Sequence, residues 1–185
     1  MKALLIIDMQ RDFMPNGALA VPKADRLIPI INEIMIQFDC VIATQDWHPK
    51  NHASFISMGG KWPAHCIQNT EGAAFAKGLK TEKFTCTIHK GTDPKVESYS
   101  AFFDEKKTHS TGLEETLKKK KIDELYFVGV ATDYCVLYSV LDALELGFNA
   151  FVIQDGCRAI QDEKGAFEKM RRKGAHLILS RQFFS

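Results

Sequence analysis

Residues Ala3 to Ile7 are five consecutive apolar positions, Ala-Leu-Leu-Ile-Ile, and the run ends abruptly at Asp8. A strand with water on one face alternates apolar and polar residues. An unbroken run is what a strand covered on both faces requires. Similar β-rich segments recur at Cys40 to Ala43, Thr85 to His89, Leu125 to Val128, Asn149 to Ile153 and His176 to Leu179. Helical patterns separate several of them. Leu27, Ile30, Ile31 and Ile34 share one helix face, with Pro29 tolerable only near the first turn. A shorter helix is predicted near Thr111 to Lys119. Val136, Leu137, Val140, Leu141 and Leu144 repeat at helical spacing and stop at Gly147. Asp162 caps a helix running to Arg172, which Gly174 stops. Glu97 to Phe103 reads as a short helical piece with aromatic anchors. Strands alternating with helices predict an α/β class fold. The expectation is a three-layer α/β/α sandwich with a six-stranded, mostly parallel, Rossmann-like sheet and right-handed crossovers. With no repeat, low-complexity tract or linker, residues 1–185 are expected to form a single domain.

Composition removes several function classes. The net charge of +1 implies no acidic partner, and the one basic run, Lys118 to Lys121, ends a helix pattern where lysines suit the negative dipole end. It is read as a solvated face, so no nucleic-acid partner is expected. Five cysteines, an odd number, argue against a disulfide framework. The first apolar run is too short for a signal peptide, and no segment approaches the ~18 apolar residues of a membrane span. The chain is expected to be cytoplasmic, with reduced thiols and no membrane partner. The Phe183-Phe184 tail is open between packing on its own chain and packing on a second copy in a homo-oligomer.

Reactive residues gather where the predicted strands end. Asp8 follows the first strand, Asp46 follows the second, Lys90 follows the third, and Val128 to Val136, Val-Gly-Val-Ala-Thr-Asp-Tyr-Cys-Val, follows the fourth. In an open parallel sheet the site lies beyond the carboxyl ends of the strands, at the point where strand order reverses. Cys135 falls in the first turn of the helix after strand four. Orphan N–H groups and the positive dipole end there favour a thiolate, against an ordinary thiol value of about 8.5. The alternative is a small buried hydrophobe at a helix start. A thiol nucleophile needs a base. Asp8 is the best-placed one if strands one and four are neighbours, and Lys90 could hold the thiolate and orient Asp8. The alternatives are a turn residue for Asp8 and a solvated strand-end lysine for Lys90.

Asp46, His48, His52 and His65 form a second group. A carboxylate and imidazoles suit zinc, iron or manganese, and Asp-x-His puts both side chains on one face of an extended backbone. Loop histidines in water are the alternative. These residues lie in or beside a long irregular stretch, roughly Pro49 to Lys83, of a length that is usually functional. Cys66 would point away from His65 and is left out of the site.

Five blocks in order resemble the nicotinamidase/pyrazinamidase family of isochorismatase-like cysteine hydrolases. They are Leu4 to Phe13, Asp46 to Phe55, Trp62 to Gln68, Lys90 to Asp93 followed by Ser98-Tyr99-Ser100, and Val128 to Val136. The resemblance implies a catalytic triad of Asp8, Lys90 and Cys135. It implies one divalent metal ion, with zinc ahead of iron or manganese, on Asp46, His48 and His65. His52 is left open between reaching the metal and standing behind its ligands. Phe13 and Trp62 would wall the pyridine ring, with Tyr99 as further lining. A cis peptide next to Ala131 would aim the N–H groups of Ala131 and Cys135 at one oxyanion. The implied activity is hydrolysis of nicotinamide to nicotinate and ammonia through a thioester on Cys135, in NAD salvage, with pyrazinamide accepted too. Two rivals remain: an amidase for another small amide, such as a carbamoyl or ureido compound, and a nucleotide-binding or redox-sensing α/β module. The last lacks a glycine-rich fingerprint after strand one.

Overall fold

A computed structural model describes residues 1–184. Six strands form one sheet: β1 (Lys2–Ile7), β2 (Val41–Asp46), β3 (Cys86–Lys90), β4 (Glu124–Val130), β5 (Asn149–Arg158) and β6 (His176–Ile178). Their order is β3-β2-β1-β4-β5-β6, and every pairing is parallel. Four α-helices accompany them: α1 (Leu27–Ile34), α2 (Leu113–Lys119), α3 (Leu137–Glu145) and α4 (Glu163–Arg172). Alternation along β1 divides the core. Ala3, Leu5 and Ile7 pack with residues of α2, α3 and α4, whereas Leu4 and Ile6 pack with Leu27, Ile31 and Ile34 of α1. Both faces are thus covered, which is why β1 carries no polar residue between Lys2 and Asp8.

The chain winds from β1 to β2 with α1 on one face, then from β4 to β5 and β6 with α3 and α4 on the other. Strand order reverses between β1 and β4, which lie side by side with Ile7 opposite Gly129. The approach is close. A Cβ on Gly129 would stand 2.1 Å from the Ile7 carbonyl oxygen, and the residue's φ of +115° suits only glycine.

Three segments differ from expectation. Glu97 to Phe103 is irregular rather than helical. β5 continues to Arg158, past the predicted end at Ile153, through a register shift opposite the Phe127–Gly129 step. Cys135 does not sit in the first turn of an α-helix. It lies in one π-type turn, Thr132–Val136, closed by the Val136 N–H donating to the Ala131 carbonyl at 3.1 Å, and α3 begins only at Leu137. Phe183 packs at home, with its ring 5.4 Å from Phe38 and 5.6 Å from Tyr126, while Phe184 stays exposed. Among the described residues no helix is long and apolar enough to cross a membrane.

Candidate active site and metal centre

Lys90, at the end of β3, is fully buried. Its ammonium lies 2.9 Å from Asp8 Oδ2 and 3.4 Å from Cys135 Sγ, donates to the Ser98 carbonyl at 3.1 Å, and is paired with Asp46 Oδ1. Carboxylate oxygens of Asp8 and Asp46 and the Cys135 sulfur all lie within 4.8 Å of one another. The sheet order thus brings together the ends of four strands that are far apart in sequence.

Around this charge cluster the two carboxyls diverge. Burial alone would raise Asp46, but Lys90 and His48 outweigh it and hold Asp46 well below the usual carboxylate range. Burial wins at Asp8, whose value is raised despite Lys90 and the Thr44 hydroxyl. Two neighbouring acids pushed apart in this way are a recognisable acid/base arrangement. Burial also lowers the Lys90 ammonium, yet Asp46 and Asp8 more than reverse it and keep the lysine charged. The Cys135 thiol departs from expectation. Burial pushes it well above the ordinary thiol value; Lys90 pulls it down, and Asp8 and Asp46 push it back up. Burial and the two carboxylates together outweigh Lys90 and favour the neutral form of the thiol.

Side chains that the motif reading passed over fix this geometry. Thr44 Oγ1 donates to Asp8 Oδ1 at 2.6 Å and accepts from the Asp8 N–H at 3.1 Å. Gln10 grips the Asp46 backbone: Nε2 donates to its carbonyl at 2.8 Å and to that of Ala73 at 2.9 Å, while Oε1 accepts from the Asp46 N–H at 2.8 Å. Ser139 Oγ donates to the Cys135 carbonyl at 2.6 Å and accepts from the Ala101 N–H at 2.8 Å. The sequence signal available for Thr44 was its place two residues before Asp46, on a strand adjoining the one that delivers Asp8.

Asp46 also faces the histidines. The Nε2 atoms of His48 and His65 stand 3.5 and 3.7 Å from its Oδ2. That is close to the roughly 3.3 Å between ligands around a tetrahedral ion with bonds near 2 Å. His48 Nδ1 pairs with the Gly91 carbonyl at 2.9 Å and His65 Nδ1 with that of Pro63 at 2.8 Å. Each Nδ1 must donate to a carbonyl, so each Nε2 carries a lone pair directed at one point. Gly91 is required for this. A Cβ there would lie 2.4 Å from the His48 ring, and its φ is +65°. The donor set therefore fits one divalent ion.

His52 stacks near His48, with ring centroids 4.1 Å apart, but both its nitrogens already have protein partners. Nδ1 is 2.7 Å from Ser54 Oγ and accepts from the Ser54 N–H at 3.2 Å, and Nε2 lies 3.2 Å from the Val96 carbonyl. It lies beside His48, and one ligand atom each from His48, His52 and Glu97 falls within 4.8 Å of the others. Burial, and next the neighbouring His48, push its value from 6.5 down to about 4. Between those values the unfolded chain takes a proton that the folded chain refuses. The resulting stability is present above pH 6.5 and is lost as pH falls toward 4. Metal-stripped protein is accordingly expected to lose Tm in calorimetry as pH drops from about 7 to about 4.5, and His52→Asn to lose less. Equal losses would remove His52 from the account. His48 runs with the opposite sign, since Asp46 raises it against burial, and is common to both proteins.

Above Cys135 opens a narrow pocket with a cavity volume of about 20 Å³. Phe13, Trp62 and Tyr99 line it as expected, with Asp46, His65, Ala131 and Cys135 at its base; Leu19, Glu97, Tyr134 and Ile160 were not anticipated. Trp62 Nε1 donates to the Tyr99 hydroxyl at 3.0 Å. The Val130–Ala131 peptide is cis. Larger hollows elsewhere, such as one of about 480 Å³ near Thr92 and His109, do not reach Cys135.

A family model described as an isochorismatase domain matches residues 2–182. The nicotinamidase of Escherichia coli is 43% identical, over 95% of this chain and 93% of its own. The pyrazinamidase of Pyrococcus horikoshii, solved in complex with zinc, is 41% identical with a TM-score of 0.88, covering 96% of this chain and 98% of its own. PnC1 from L. infantum, solved in complex with nicotinate, is 36% identical with a TM-score of 0.94, covering 97% and 93%. These matches run through every strand that carries the site, and the chain belongs to the isochorismatase family.

Proposed function

We propose that this chain, acting as one hydrolase domain over residues 1–185, is a nicotinamidase that hydrolyses nicotinamide to nicotinate and ammonia, with pyrazinamide as a second substrate. Its place would be pyridine-nucleotide salvage in the cytoplasm. The observation that carries the reading is the meeting of Asp8, Lys90 and Cys135 at the base of an aromatic pocket beside Asp46, His48 and His65. The similarity to nicotinamidases at up to 43% identity supports it.

The steps follow from the protonation states. The thiol rests neutral, so Asp8 takes its proton as Cys135 Sγ attacks the carboxamide carbon. Lys90 keeps its charge and balances the negative charge moving between sulfur and Asp8. The N–H groups of Ala131 and Cys135 hold the developing oxyanion, contacts worth roughly 3–4 kcal/mol per donor. The carbon–nitrogen bond then breaks, and Asp8 returns its proton to the departing ammonia. Asp8 next takes a proton from water as that water attacks the thioester. Nicotinate leaves, and the thiol is restored. Phe13 and Trp62 hold the ring, with Tyr99 at the edge. Asp46, His48 and His65 would hold a divalent ion, zinc before iron or manganese, which would supply a Lewis acid for the ring nitrogen.

The test is ammonia release from a panel of small amides, with metal content measured on the same sample. Nicotinamide and pyrazinamide are expected to react. Ammonia from a carbamoyl or ureido compound alone would replace this reading with the other amidase. Chelation is expected to lower the rate at least about tenfold while far-ultraviolet circular dichroism stays unchanged, and added zinc to restore it. Full turnover by a metal-free sample would overturn the metal's role.

A further inference from the structure

The turn that carries Cys135 is fastened to a loop that the mechanism above leaves without a part. Asp133 spends both carboxylate oxygens on the segment between β5 and α4. Its Oδ1 accepts from the Ile160 N–H at 3.0 Å, and its Oδ2 from those of Gln161 at 2.9 Å and Asp162 at 3.0 Å. Three donors converging on one carboxylate fix a loop in place, because a shift must break all three charge-assisted bonds together. The far end is fixed as well, where Asp162 Oδ1 accepts from the Gly165 N–H at 2.9 Å and caps α4. Ile160 is the residue of this loop that lines the pocket, beside Ala131, Tyr134 and Cys135. One carboxylate therefore sets how far an aliphatic wall stands from the nucleophile. Such a wall offers no hydrogen bond and can discriminate only by volume.

We propose that Asp133 is a positioning residue and Ile160 a specificity-determining one. The clamp holds Ile160 where it limits the pocket to unsubstituted six-membered heteroaromatic amides. This rests on the amidase reading above. Asp133→Asn keeps the volume but turns an amide N–H toward backbone donors. The measurement is kcat/KM for nicotinamide and for a set of ring-methylated nicotinamides in the wild type, Asp133→Asn, Ile160→Ala and the double variant. For at least one methylated ring, the ratio of methylated to plain substrate is expected to rise about tenfold in each single variant, mainly through KM, the size of one methyl's discrimination in an apolar pocket. The double variant should go no further than Ile160→Ala, because both changes act on one wall. A ratio unchanged across the set in either single variant, or effects that multiply in the double, would overturn the proposal. Hydrogen exchange on the full chain needs no turnover. Asp133→Asn should speed exchange of the Ile160, Gln161 and Asp162 amides with β4 unaffected, and unchanged exchange there would refute the clamp. Wild-type protein that released no ammonia from nicotinamide would end the amidase reading, while the exchange result would still decide the clamp.

Discussion

Replacing Cys135 with alanine is expected to lower kcat for nicotinamide by about 10⁴-fold or more while leaving nicotinamide bound. The two halves of that expectation have separate causes. In the proposed mechanism turnover falls because the sulfur is the atom that would attack; Asp8, Lys90 and the turn amides would have nothing to activate without it. Binding persists because Phe13, Trp62 and Tyr99 surround the pocket independently of the thiol. The fold should persist too, since losing one small buried group costs about 1 kcal/mol. Isothermal titration of nicotinamide into the variant, beside an ammonia assay, checks both halves. Retained turnover would be the more instructive failure. It would mean that water attacks the amide directly, and the acyl-enzyme would have to be abandoned together with Asp8's first proton transfer. The raised thiol sharpens the same point. A resting thiolate could attack unaided, whereas a neutral thiol held up by burial needs Asp8 in the attacking step.

Much of this site was legible because a doubly wound sheet places chemistry at predictable ends of strands. The apolar run of β1 announced burial on both faces, and its abrupt end at Asp8 marked the edge that carries the candidate site. What sequence could not show depends on contacts made across the fold. Glu97 to Phe103 carries aromatic residues at helical spacing but forms no helix, because its backbone groups are engaged elsewhere. The Ser98 carbonyl accepts from Lys90, the Ala101 N–H donates to Ser139, and the Phe102 carbonyl accepts from the Thr111 N–H. The state of the thiol is hidden from sequence for a related reason. A helix start is visible in sequence, but the burial of Cys135 beside two carboxylates is not. Thr44, Gln10 and Asp133 were overlooked because short polar residues at strand ends and turns have many routine uses. Only the register of β1 on β2, with Ile6 opposite Ala43, brings Thr44 to Asp8.

Lys90→Met is the substitution expected to hurt folding as well as chemistry. The lysine is the only cation in contact with both Asp8 and Asp46 among the described residues, and all three side chains are at least nine-tenths buried. Methionine matches its length and apolar stem, so packing is largely kept and the loss is electrostatic. Removing one partner from a buried ion cluster leaves charge without compensation, which costs about 3–5 kcal/mol. Urea denaturation at pH 7 should show that loss, with ammonia release abolished. The pH dependence gives the cause away. Without Lys90 the Asp8 carboxyl, already raised, moves further above its ordinary value of 3.8. The folded variant then binds a proton that the unfolded chain gives up. Its deficit against wild type should shrink as pH falls from 7 toward 5, in the direction opposite to ordinary acid destabilisation. A deficit that stayed constant across that window would mean that Lys90 serves through packing alone, and its role as the counter-charge for Asp8 and Cys135 would fall with it.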